Sequence, residues 1–152
     1  VRAGQVEASA RLGRSGAPGG TGAVEMNFLD KLVDHIESSL TLYSPIRVGM
    51  LGTGNSIAIR PTPGSMPSGY LNGGRLRPYS FQVLTQHTDP QIAYYALEEI
   101  ADLLDATDAS ISGEGYVMVR CELYTAPNFV EVTDQGLHIY TALFEAELLK
   151  EV

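Results

Sequence analysis

The stretch Tyr79-Ser80-Phe81-Gln82-Val83-Leu84-Thr85-Gln86-His87-Thr88-Asp89-Pro90, with the residues that follow it to Leu104, decides the fold. Tyr79, Phe81, Val83, Thr85 and His87 fall on one side of an extended chain, and Ser80, Gln82, Leu84 and Gln86 on the other. That period of two predicts a half-buried strand, with one face in need of cover. Asp89 is placed to cap a helix and Pro90 to open it. Ile92, Ala96, Ile100, Leu103 and Leu104 then make an apolar stripe at helical spacing, backed by Glu98, Glu99, Asp102 and Asp105. A strand covered by the next element in the chain is the mark of an α+β domain. We expect a mainly antiparallel sheet of four to five strands with two helices packed on one face.

With 152 residues, 44% hydrophobic and 18% charged, the chain has material for one core and hardly for two. The net charge of −8 argues against general affinity for nucleic acid, which needs clustered Lys and Arg. That charge is unevenly placed. Tyr43 to Ser80 holds Arg47, Arg60, Arg75 and Arg77 and no carboxylate, whereas Phe81 to Val152 holds thirteen carboxylates against Arg120 and Lys150. Segments of opposite sign on one molecule can draw copies together head to tail. Cys121 is the only cysteine, which leaves no disulfide framework and no cysteine-based zinc site and fits a reducing compartment. No run approaches the roughly twenty apolar residues that span a bilayer, so a soluble, intracellular product is expected, with no membrane partner.

Working outward towards the N-terminus, Phe28, Leu29, Leu32, Val33, Ile36 and Leu40 recur at helical steps, predicting an amphipathic helix from Asn27 to about Ser39, with Asn27 and Asp30 as its cap residues. Residues 1 to 25 are glycine-rich and without aromatic residues, so they read as a disordered extension or, since Met26 directly precedes the helix, as a translated leader. Residues 26 to 152 then form the single domain. Pro45 to Met50 and Ser56 to Arg60 read as short strands, and Leu51-Gly52-Thr53-Gly54-Asn55 between them as a hairpin turn. Gly49, Gly52 and Gly54 do not make a phosphate loop, because a strand follows them where such a loop needs a helix. Arg60 to Pro78, rich in Pro and Gly, reads as a long irregular loop carrying the apolar Met66, Tyr70, Leu71 and Leu76, which suits an arm reaching to a neighbouring subunit.

Towards the C-terminus, Thr107 to Gly115 is a turn region. Tyr116 to Tyr124 alternates as a strand with Val117, Val119, Cys121 and Leu123 on one face. Ala126-Pro127-Asn128 is expected to end it. Gln135-Gly136 turns into a last strand, Leu137 to Leu148, with His138, Tyr140, Ala142, Phe144, Ala146 and Leu148 on one side. Its length suggests an edge offered to a partner. His35, His87 and His138 are scattered, Cys121 sits among apolar neighbours, and no nucleophile turn or carboxylate pair stands out. We expect no catalytic residue, no metal site and no cofactor; the chain works through its surface.

The order of parts also resembles a known family. A helix, two short strands joined by Gly-Thr-Gly-Asn, then Ser56-Ile57-Ala58-Ile59-Arg60-Pro61-Thr62-Pro63-Gly64, a strand ending in Thr85-Gln86-His87, an Ala-rich acidic helix and two final strands resemble the tail terminators of long-tailed bacteriophages and prophages, often labelled minor capsid proteins. The resemblance spans Met26 to Val152. It implies a virion structural protein and not an enzyme: a homo-hexameric ring at the head-proximal end of the tail tube, assembled in the host cytoplasm, that ends tube polymerisation and takes part in head-tail joining. Its implied partners are the tail tube protein and a head-neck connector protein. Arg60, Pro61, Thr62, Pro63, Gly64, Tyr70, Arg75 and Arg77 are then candidates for subunit or tail contacts. Glu98, Glu99, Asp102 and Asp105 are candidates for the lumen, where carboxylates repel passing DNA, or for an acidic interface. A head completion protein of the neck, or a small cytosolic ligand-binding or enzymatic α+β domain, are the alternatives.

Overall fold

The central strand and the helix that covers it form where the alternation and the cap place them, as β3 (Leu76–His87) and α2 (Pro90–Asp105). A computed structural model describes residues 21–63, 76–105 and 111–150. Around this pair stand α1 (Thr21–Ser39), β1 (Ile46–Val48), β2 (Ser56–Pro61), β4 (Ser112–Gly113), β5 (Tyr116–Val132) and β6 (His138–Lys150). The fold is α+β, with one six-stranded sheet in the order β1-β2-β3-β6-β5-β4. All neighbours are antiparallel except β1 and β2.

Both helices lie on the Tyr79, Phe81, Val83 and Thr85 face of β3. Phe28 of α1 meets Tyr79 edge-on with ring centroids 5.1 Å apart, and Phe81 and Tyr116 at 6.2 Å. Phe81 stacks on Phe144 of β6 at 5.1 Å. These offset and edge-to-face contacts add to the area buried. On α2 the buried residues are Ala93, Ala96, Leu97, Ile100, Ala101 and Leu104, while Ile92 is exposed. The stripe is thus turned from the expected one towards the alanines. Small side chains let the helix lie close to the sheet, close enough for the buried Thr85 hydroxyl to donate to the Ala93 carbonyl at 2.8 Å. Asp89 caps α2, its Oδ1 accepting from the Gln91 amide at 2.9 Å. Asp89→Ala should cost about 1 kcal/mol of stability, read from the shift in a urea denaturation midpoint.

Several expectations change. The sheet has six strands instead of four to five, and β1 and β2 are parallel, Ile46 beside Ile57 and Val48 beside Ile59, so the segment between them is no hairpin turn. Gly49, at φ 121°, starts a loop that travels back along β1 instead of simply reversing. Gln86 on β3 holds that loop: its Nε2 donates to the Gly52 and Gly54 carbonyls at 3.0 and 2.7 Å and lies 3.3 Å from Ser56 Oγ. Helix α1 starts at Thr21, upstream of Asn27. Asn27 is therefore inside the helix, and its Oδ1 accepts from the Tyr116 hydroxyl at 2.8 Å.

Pro61 and Pro78, assigned to the long loop, are strand residues. Pro78 pairs with Glu147 on the β6 side and lies past the end of β2, so its missing N–H costs no ladder bond. Nor does Pro127 end β5, which runs seventeen residues through four register shifts against β6. The shift between Met118 and Arg120 reverses the phase: Tyr116 and Met118 face the core before it and Cys121 after it, while Val117 is only half-buried and Val119 is exposed. Strand β6 is the reverse of an edge, being paired along its length with β3 on one side and β5 on the other. Its buried alternation is as expected through Ala142, Phe144, Ala146 and Leu148, and Gly136, at φ 82°, makes the expected turn into it.

Candidate assembly interface

The arginine-bearing side is built on β1, β2 and the start of β3. Arg60 is exposed, yet its guanidinium is held: Nε donates to Gln82 Oε1 at 2.8 Å, Gln82 Nε2 donates to Thr141 Oγ1 at 2.8 Å, and that hydroxyl donates to the Val83 carbonyl at 3.2 Å. This polar ladder crosses β2, β3 and β6 on the face turned away from the helices. Arg47 on β1 is exposed, its Nε bonded to the Met50 carbonyl at 3.2 Å. Pro61 and Pro63 are exposed, and the Thr62 amide still pairs with the Ser80 carbonyl at 3.0 Å, extending the β2–β3 ladder. Arg77 is half-buried on β3. Gly64, Tyr70 and Arg75 lie outside the described residues, as do 1–20.

The acidic candidates sit on α2, on the other side of the sheet from Arg60. Glu99 and Asp102 are exposed, and Glu98 is half-buried, with the Tyr94 hydroxyl bonded to it; that bond is the main reason the Tyr94 pKa is raised. Asp105 is exposed but occupied, since its Oδ1 accepts from the Leu123 amide of β5 at 2.8 Å. The arginines and the α2 carboxylates are thus not brought together within one copy.

Nothing catalytic converges among the described residues. No three His, Cys, Asp or Glu side chains there stand close enough to share a metal ion. His87 is structural: its Nδ1 accepts from the Asp89 amide at 2.9 Å, its Nε2 lies 3.2 Å from Asn55 Nδ2, and its ring meets Tyr43 edge-on. A shallow concavity of about 250 Å³ is lined by Glu37, Leu40, Leu42, Tyr43, Ser44 and Pro45. It is small for a ligand site, and its carboxylate already accepts from the Ile46 amide at 2.8 Å. No described helix is long and apolar enough to cross a membrane.

Cys121 is buried, and that burial, aided by the Asp105 charge, pushes its thiol up to about 12. Burial likewise pushes Tyr43 and Tyr116 up to about 12, the latter with help from Asp30. All three groups are neutral in the fold at neutral pH and ionise more easily in the unfolded chain. Their contribution to stability is therefore complete below the unfolded values of 9.0 for Cys and 10.0 for Tyr, and is lost as pH rises towards 12. The urea midpoint should fall steadily above about pH 9, and Cys121 should resist alkylation at neutral pH until the chain is unfolded.

One surface has no counterpart in the sequence reading. Phe129 of β5 meets Tyr140 of β6 at 5.6 Å, Tyr140 meets Tyr94 of α2 at 5.6 Å, and Tyr94 meets Tyr95 at 5.9 Å. The row ends in the open at both sides, Phe129 being 53% and Tyr95 56% exposed. Sequence order hides it, because the aromatic residues come from three separate elements.

Comparison with known proteins supplies the remaining finding. Residues 35–150 match the model of a family described as bacteriophage tail terminator protein, which covers α2, most of α1 and every strand of the sheet. A search of curated proteins gives no match.

Proposed function

Because the chain belongs to the bacteriophage tail terminator family, we propose that it assembles as a hexameric ring at the head-proximal end of a phage tail tube, ends tube polymerisation and provides the surface to which the head joins. The family match, running through nearly the whole described fold, carries this reading. The separation of charge supports it. Arg60 and the α2 carboxylates lie on opposite sides of one sheet, so a contact between them has to be made with another molecule, and a repeated heterologous contact closes into a ring when its rotation allows.

In this reading Arg60, Pro61, Thr62, Pro63, Gly64, Tyr70, Arg75 and Arg77 contribute to subunit or tail contacts. Glu98, Glu99 and Asp102 face the lumen or the next subunit, with Asp105 partly spent on holding β5. The partners are further copies of the chain, the tail tube protein and a head-neck connector protein, met in the host cytoplasm during assembly and retained in the virion. Carboxylates along the lumen let DNA pass by repelling its phosphates.

Light scattering after size exclusion, at low and high salt, tests the ring. A mass six times that of the chain, falling as salt rises, is the expected result, because exposed charge pairs are screened. A monomer at every concentration that also fails to bind tail tubes would overturn the proposal.

A further inference from the structure

The chain closes the outer edge of β5 itself, but only along its first part. Tyr116 and Val117 pair with β4, the Met118 amide donates to the Ile111 carbonyl at 2.8 Å, and the Leu123 amide donates to Asp105. From Tyr124 to Val132 no described strand lies on that edge. Unpaired edges of this kind in soluble proteins are usually blunted by charge or covered. Here the surface turns apolar instead: Tyr124, at 75% exposure, and Phe129, Val130 and Val132 all stand in the open. Tyr124 and Val130 are the residues skipped where the β5–β6 register shifts, so the bulges put apolar side chains on the surface along this stretch. Phe129 continues the apolar surface inward through Tyr140 to α2.

The chemistry around this edge is one-signed. Between Cys121 and Leu149 there is no Lys or Arg, while Glu122, Glu131, Asp134, Glu145 and Glu147 are all carboxylates. The complement stands on the opposite edge, where Arg47 on β1 and Arg60 on β2 are exposed and no carboxylate occurs from Tyr43 to Ser80. β1 and β5 are four strand positions apart in the sheet, about 19 Å at the usual strand spacing. One copy cannot bring its own two edges together.

We propose that the open part of the β5 edge, Tyr124 to Val132, seats a second copy of this chain, which docks with its β1–β2 edge and sets Arg47 and Arg60 against the carboxylates of the β5–β6 hairpin. The inference deepens the ring reading and rests on it. Each copy then offers one donor edge and one acceptor edge, so the contact repeats head to tail.

Two variants separate the edges. Arg47→Glu with Arg60→Glu spoils the donor edge and leaves β5 intact; Glu131→Lys with Tyr124→Ser does the reverse. All four residues are exposed, and circular dichroism with thermal melting checks that each variant folds. By light scattering, each variant alone should be monomeric, and an equal mixture should give pairs that grow no further, because one good edge of each kind remains. Wild-type assembly with variants that keep the wild-type mass would overturn this inference while leaving the ring standing. Variants that are monomeric alone and still monomeric when mixed would overturn the head-to-tail pairing. β5 variants that keep their assembly mass but lose binding to tail tubes would give the edge to the tube protein, which also overturns it. A wild-type chain that is monomeric at every concentration would overturn the ring and this inference together.

Discussion

Phe81→Ala should lower stability by about 3–5 kcal/mol, the range for removing a fully buried aromatic side chain. Phe81 is fully buried in β3, stacked on Phe144 at 5.1 Å and met edge-on by Phe28 at 6.2 Å. It is therefore where the sheet and the first helix share a contact, and the cavity left behind cannot be refilled without moving both. Against a total of about 5–15 kcal/mol for an ordinary domain, the loss is a large fraction. Urea denaturation of Phe81→Ala beside Tyr124→Ala provides the comparison. The second removes an exposed ring and should shift stability by no more than about 0.5 kcal/mol. Equal effects would mean that the core is not centred on β3.

Gln86→Leu should cost about 2–4 kcal/mol, because the substitution keeps the volume and removes the donor that buried carbonyls depend on, at about 1–3 kcal/mol for each acceptor left without a partner. Gln86 is almost fully buried, with Nε2 on the Gly52 and Gly54 carbonyls at 3.0 and 2.7 Å. Its backbone is tied as well, the Tyr43 hydroxyl donating to its carbonyl at 2.9 Å. The damage should be local as well as global. Amide exchange of Gly52, whose N–H donates to Ser56 Oγ at 3.1 Å, should accelerate by more than the global loss of stability accounts for. An unchanged Gly52 exchange rate would show that the loop does not hang on this side chain.

Gln86 also shows where the sequence is silent. Its place in the alternation of β3 was legible, but a Gln on the face away from the helices reads as a solvated residue, and only the returning Gly49–Asn55 loop buries it. The same loop hid the parallel pairing of β1 and β2, since Gly-Thr-Gly-Asn suits a tight reversal as well as a wider return. Strands β3 and β6 were readable because neither is interrupted and their period of two survives along their length. Strand β5 was readable only as far as Met118, because each bulge adds a residue and shifts the phase of everything after it.

For the candidate interface, the charge separation between Tyr43–Ser80 and the rest of the chain was visible in composition. Its spatial meaning was not, because sequence does not reveal that β6 lies in the middle of the sheet and β5 near its edge. The strand expected to offer an edge was thus the one with none to offer. Length pointed to β6, while strand order assigns the open edge to β5.

The most direct measurement of what this chain does is the length of tails, by electron microscopy of negatively stained particles, made from the phage's tail genes with and without it. Our account predicts tubes of one length, closed by a ring at the head-proximal end, when the chain is present, and tubes that run on past that length and fail to join heads when it is absent. Tubes of the same length in both preparations would contradict it.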